Sequence, residues 1–173
     1  VDHRVPDTNV LGGEEGLGNG RKYALSALEL GRINVASRAV GVAQAAFDAA
    51  MSYAQERETF GQPIFKHQAI QFKLAEMATK LQAARLMTYD AAARADAGER
   101  VDMEAGMAKL FASEAAYEIA TDALRIHGGN GYTTEYPVER YFRDTPLMII
   151  GEGTSEIQKM VIARKLLDRY SVE

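Results

Sequence analysis

The sequence predicts an all-α protein, an antiparallel four-helix bundle with a short N-terminal strand remnant, and three observations carry that reading. After the glycine-rich stretch Leu11 to Gly20, helix breakers almost vanish until Gly61 and Pro63. Apolar residues recur at helical spacing along each long segment. Beyond the N-terminal stub, no stretch alternates as a half-buried strand would.

The first residues, "VDHRVPDTNVLG", carry no initial methionine and read as a broken-off strand and turn, which suggests a piece of a longer chain. The glycines of "LGGEEGLGNG" permit the backbone excursions of a connector. A first helix is expected from about Arg21 to Arg57, with a seam of Leu28, Arg32, Val35, Ala39, Val42, Ala46, Ala49 and Tyr53. Its polar side (Asn34, Ser37, Arg38, Gln44, Asp48, Ser52, Gln55) is narrow, so this helix should lie centrally in a bundle or oligomer. After "FGQPIFKHQ", a second helix places Ile70, Leu74, Met77, Leu81, Ala84 and Ala91 on one face and stops near Ala97 and Gly98. A third runs from about Asp102, a plausible N-cap, to Ile126. Its stripe of Ala108, Ala112, Ala115, Ile119, Ala123 and Ile126 is mostly small and allows close helix approach. "HGGNGYTTEYP" breaks the pattern. A short helical stretch around Val138 to Phe142 follows, and a last helix carries Ile157, Met160, Val161, Leu166 and Leu167.

Composition narrows the function classes. The 173 residues suffice for one domain with a sizeable core, and a 47% hydrophobic and 25% charged make-up is that of a soluble globular chain. A net charge of -4 gives no footprint for nucleic acid. With no cysteine and three histidines (His3, His67, His127) that lack close ligand spacing, metal chemistry is not expected. No stretch reaches the roughly 18 apolar residues of a membrane span.

Four local patterns bear on chemistry. In "IIGEGTSEIQ", Thr154 or Ser155 can cap the last helix, and Ser155 with Gln158 fits a capping box. Capping does not account for Glu152, a carboxylate between two glycines, which is either a solvated acid in a turn or a general base on a strained one. "GGNG" (Gly128 to Gly131) follows a helix, so by itself it is a C-cap and turn rather than a dinucleotide fingerprint. "RETFG" (Arg57 to Gly61) by itself is an exposed helix end where a cation complements the dipole. Arg32, inside an apolar seam, must find an anion, and Glu29 three residues before it is the nearest.

Taken in order, these motifs resemble the C-terminal part of the acyl-CoA dehydrogenase family of flavoenzymes. "VPDTNVLGGEEGLG" looks like the exit from that family's middle β-domain, and "RETFGQPIFKHQAIQFKLAEMA" like its second C-terminal helix with the preceding turn. "RIHGGNGYTTEYPVERYFRD" is similar to the family signature, and "IIGEGTSEIQ" to the segment bearing its catalytic glutamate. The resemblance implies residues 1–20 as the tail of a β-domain and linker and residues 21–173 as the helical domain. It implies Glu152 as the base that removes the substrate α-proton. Arg57, Thr59, Phe60 and Gln68 fall where the family contacts FAD, Arg57 and Phe60 commonly reaching a neighbouring subunit's cofactor. Gly128 and Gly129 match positions near the cofactor diphosphate, Thr154 and Glu156 match further cofactor contacts, and Arg32 and Gly153 lie on the acyl-CoA side. Arg125 stands where most members have glutamine and could still serve the diphosphate. Gly31 occupies the position where a minority of members carry their base, and it has no side chain to offer.

The implied function is FAD-dependent α,β-dehydrogenation of an acyl-CoA thioester, with electrons passed to an electron-transfer flavoprotein. The same resemblance implies a homo-oligomer, a dimer of dimers, in the bacterial cytoplasm or the mitochondrial matrix. A related acyl-CoA oxidase and a non-catalytic helical module are the alternatives.

Overall fold

Sequence periodicity turns into five α-helices in the computed structural model, which describes residues 2–171; the outermost residues of both expected domain spans lie outside that range. In chain order they are α1 (Gly20–Glu56), α2 (Gln68–Asp96), α3 (Asp102–His127), α4 (Val138–Ile150) and α5 (Ser155–Arg169). Between α1 and α2 lies a small antiparallel ribbon, β1 (Glu58–Thr59) and β2 (Gln62–Pro63), with Thr59 opposite Gln62.

The core sits where α3 meets α1, α2, α4 and α5, so α3 is the central helix. Within the bundle of this single chain the central place expected of α1 therefore goes to α3, which leaves burial of α1 in an oligomer as the other half of that expectation. Along α1 only Val35, Ala36, Ala39, Ala43, Ala46, Ala50, Tyr53 and Ala54 are buried, and its first turns are largely exposed. The buried stripes of both α1 and α3 are dominated by alanine, which lets two backbones approach closely. Bulk comes from Leu74, Met77 and Leu81 of α2 and Ile119 and Ile126 of α3. Half-buried Lys73 with Asp122, and exposed Lys80 with Glu118, tie α2 to α3, and the exposed pair contributes about 1 kcal/mol or less.

Several local expectations change. The N-terminal remnant is not a strand: among the described residues no strand pairs with it, and Asp7–Asn9 and Gly13–Gly16 form 3-10 turns. Asp102 opens α3 rather than capping it. The cap position is Val101, whose N–H donates to Glu29 Oε1 at 2.7 Å, while Asp102 receives Arg100 Nη2 at 2.7 Å. α4 runs on past Phe142 through Pro146 to Ile150. Proline removes the N–H that the Phe142 carbonyl would accept, and the Thr145 hydroxyl donates to that carbonyl instead at 3.1 Å. On α5 the apolar stripe faces outward: Met160 is 64% and Leu167 73% exposed, whereas Ser155 and Gln158 are buried.

Candidate functional site

Glu152 lies in the turn between α4 and α5. Its φ is +55°, and the only other non-glycine residue with a positive φ among the described residues is Phe60. An L-residue in that region costs roughly 1–2 kcal/mol, so surrounding contacts must hold it there. Those contacts come from α3 and α5. Lys109 of α3 donates its Nζ to the Ile149 carbonyl at 2.9 Å and to the Gly153 carbonyl at 2.8 Å. Gln158 Nε2 donates to the Glu152 and Gly153 carbonyls at 3.0 and 3.1 Å. The Ser155 hydroxyl donates to Glu114 Oε1 at 2.6 Å, pinning the start of α5 on α3.

This network replaces the capping box expected of Ser155 and Gln158. The cap of α5 is Thr154, whose hydroxyl oxygen accepts from the Ile157 N–H at 3.4 Å. Glu156 is exposed next to it, and its own backbone N–H, then the Thr154 hydroxyl, hold its carboxyl below the ordinary range. Burial pushes the Lys109 ammonium below its usual value, with nearby Glu114 and Glu156 pulling back.

The Glu152 side chain projects against α1 at Gly31. A β-carbon there would lie 2.6 Å from Glu152 Oε2, so only glycine leaves the carboxylate this place. The half-buried Glu152 also borders a groove of roughly 690 Å³ between α1 and α4, walled by Val35, Val42, Leu147 and Met148 with Arg38 and Asp144. The Glu152 N–H donates to no backbone carbonyl among the described residues. One residue on from Gly31, Arg32 keeps its Nε buried with no acceptor among the described residues. The expected partner Glu29 is engaged by the Val101 N–H instead.

A second group gathers at the other end of α1. Arg57 caps the helix C-terminus, and the ribbon that follows turns through Phe60 (φ +51°) and Gly61 (φ +76°). Both central residues lie in the left-handed region, the pattern of the tightest hairpin turns. Phe60 is 97% exposed at its tip. Thr59 Oγ1 and Gln62 Nε2 bind the two ring nitrogens of His67 at 3.0 and 3.3 Å, which fixes the ribbon beside the first residue of α2, Gln68.

The glycine turn docks at the same end. Asn130 Nδ2 donates to the Tyr53 hydroxyl at 2.9 Å, and the His127 ring stacks on Tyr53 with centroids 4.2 Å apart. His127 is buried, its Nδ1–H donates to the Ala123 carbonyl at 2.8 Å, and burial pushes its imidazole below the ordinary range. Gly128 (φ +59°) ends α3, as a C-cap does, and neither it nor Gly129 has a heavy atom where a β-carbon would reach. Arg125 is exposed, with Asp122 at 3.7 Å.

The singled-out residues therefore fall into two groups. Glu152, Gly153, Thr154, Glu156 and Arg32 surround the middle turn, and Arg57, Thr59, Phe60, Gln68, Arg125, Gly128 and Gly129 gather at the far end. From Gly31 to Tyr53, the helical rise separates the two by about 33 Å. Sequence reasoning missed Lys109. Its signal was register: it sits on the face of Ala105, Ala112, Ser113 and Ala116, all buried.

The family model described as acyl-CoA dehydrogenase, C-terminal domain, matches residues 18–167. The 3-(aryl)acrylate reductase of Clostridium sporogenes is 52% identical over 95% of this chain and 43% of its own length. The mitochondrial short-chain specific acyl-CoA dehydrogenase of Rattus norvegicus is also 52% identical, over 98% of this chain and 40% of its own. The solved butyryl-CoA dehydrogenase of Megasphaera elsdenii superposes with a TM-score of 0.85 at 44% identity, covering 87% of this chain and 39% of that one. The chain thus spans about two fifths of the length of the relatives it matches.

Proposed function

Because this chain belongs to the acyl-CoA dehydrogenase family, we propose that it acts as the C-terminal helical part of an enzyme that oxidises the α,β-bond of an acyl-CoA thioester. In this reading residues 21–173 are the bundle domain and residues 1–20 the tail of a preceding β-domain. The observation that carries it is Glu152, held at positive φ, facing a glycine and bordering an apolar groove.

Glu152 takes the α-proton. A carboxylate is intrinsically too weak a base for an ordinary α-C–H, so the thioester oxygen must be stabilised as charge develops on it. The Glu152 N–H, uncommitted to any backbone carbonyl, is suited to donate there. Val35, Val42, Leu147 and Met148 offer the acyl chain an apolar wall, and the unpartnered Nε of Arg32 offers the substrate a buried donor. Gly153 brings the backbone close to the thioester.

FAD, when bound, supplies the acceptor for the β-hydride. This chain's residues fit such a group: Arg57 and Arg125 are exposed cations, Phe60 is an exposed ring, and Gly128 and Gly129 leave their backbone open. Thr59 and Gln68 stand beside Phe60, while Thr154 and Glu156 lie on the Glu152 side. The distance between the two groups fits a homo-oligomer in which Arg57 and Phe60 complete a neighbour's cofactor site, and the family resemblance makes that oligomer a dimer of dimers. Electrons then pass to an electron-transfer flavoprotein, in the bacterial cytoplasm or the mitochondrial matrix.

Anaerobic titration of the full-length holoenzyme with acyl-CoA thioesters of graded chain length tests the activity. The flavin absorbance should bleach with at least one of them and return only slowly on admission of air. No bleaching with any thioester would reject the reading, and rapid re-oxidation by air would reassign it to an oxidase.

A further inference from the structure

Lys109 is 0% exposed in the middle of the central helix, on a face otherwise made of alanine and serine. Burying an ammonium is expensive unless it is well satisfied, and a methionine of similar reach would pack there without that penalty. Among the described residues, the hydrogen bonds of the Lys109 Nζ go to the carbonyls of Ile149 and Gly153. Those two residues bracket Glu152. One carbonyl belongs to the last turn of α4, where it would otherwise lack an acceptor's partner, and the other to the glycine at φ +92°.

We propose that Lys109 is the positioning residue for Glu152: by bridging the carbonyls on either side of the turn, it fixes the left-handed backbone that aims the carboxylate at Gly31 and the groove. Gln158 is its counterpart. Fully buried on α5, it holds the Glu152 and Gly153 carbonyls from the other side, so the Gly153 carbonyl receives both donors. The two side chains set the turn from the bundle interior through its carbonyls, and among the described residues no donor is fixed on the Glu152 carboxylate itself. A general base must stay unencumbered while its position is held, and this arrangement does both. A purely structural cap of α4 would need only the Ile149 carbonyl; the second bond, across Glu152 to Gly153, is what joins the cap to the site.

The inference rests on the reading of Glu152 as the base, and the test separates the two. In the full-length holoenzyme, Lys109→Met, Gln158→Leu and Glu152→Gln are compared by acyl-CoA reduction kinetics and by hydrogen exchange of the segment 149–154. Lys109→Met should lower kcat by about 100-fold, the size of effect expected when a reacting group is misplaced by about 1 Å, with KM changed less than about threefold. The same variant should speed exchange in that segment while α1 to α3 keep their protection. Gln158→Leu should do the same to a smaller degree, and it carries the test alone if Lys109→Met does not fold. Unchanged kcat and unchanged exchange in whichever of these variants fold would overturn the inference even if Glu152→Gln is inactive. A fully active Glu152→Gln would instead overturn the reading on which it rests.

Discussion

Gly31 and Glu152 compete for one space: a β-carbon on Gly31 would lie 2.6 Å from Glu152 Oε2 and 2.8 Å from its Cδ. The clashing atoms are the far end of a flexible side chain, so a substitution moves the carboxylate rather than the helix. Gly31→Ala in the full-length enzyme is therefore expected to lower kcat by about 10- to 100-fold, with the thermal midpoint nearly unchanged. Steady-state kinetics beside a melting curve checks this. Moving the base to Gly31→Glu requires Glu152→Gly, since glutamine at that position would occupy the same space.

Phe60 makes the reverse trade. It adopts φ +51° at the tip of the ribbon, yet its ring is almost wholly exposed, with the His67 ring set edge-on to it at 6.1 Å between centroids. Phe60→Gly should stabilise this chain by about 1 kcal/mol, read as a higher urea midpoint, because glycine adopts that conformation without strain. In the full-length enzyme the same change should weaken flavin retention, measured by the free FAD released on dilution.

How legible was this in the sequence? The spans of α1, α2 and α3 follow from local rules, and the small stripe of Ala108, Ala112, Ala123 and their neighbours is buried as its spacing requires. The first turns of α4 are expected around Val138 to Phe142, but its run on to Ile150 is not, because a proline at 146 removes a helical N–H and the Thr145 hydroxyl that relieves the Phe142 carbonyl becomes visible only in three dimensions. On α5, periodicity defines a stripe but not which way it faces, and Met160 and Leu167 turned out to point away from the core. Glu152 stood out because helix capping accounts for the hydroxyls that follow it but not for a carboxylate between two glycines. Lys109 did not, because a lysine inside a helix ordinarily reads as solvated, and its place among buried alanines shows only once their register is drawn out. Arg32 and Glu29 show the limit of pairing by spacing, for the Val101 N–H, far along the chain, took the carboxylate.

Buried His127 predicts a pH dependence. Burial holds its imidazole below the ordinary value, so the unfolded chain binds the proton at a higher pH than the folded one. Its contribution is full above about pH 6.5 and is lost as pH falls from there toward the folded value. The urea midpoint of this chain should drop between about pH 7 and pH 5.5, and that drop should be smaller in His127→Phe. Equal slopes in the two proteins would show that another group titrates.

Expressed alone, residues 1–173 should fold as a helical bundle and remain colourless. Chemistry needs a hydride acceptor oriented against the base, and in the proposed reading this bundle is one part of an enzyme whose preceding β-domain is represented here by its tail alone. Exposed Leu147, Ile150, Ile157, Met160 and Leu167 should also drive concentration-dependent association, visible by light scattering. Stoichiometric FAD on the purified chain would place the cofactor site wholly within the helices.

The most direct measurement is stopped-flow flavin reduction by acyl-CoA in the full-length Glu152→Gln enzyme. Glutamine keeps the shape of the side chain beside Gly31 and removes its capacity to accept a proton. The variant should retain its flavin and bind acyl-CoA, while the reduction rate falls by about 100- to 10,000-fold, the range for loss of a general base. Flavin bleaching at a near-normal rate would contradict the account and return Glu152 to the rank of an ordinary acid in a turn.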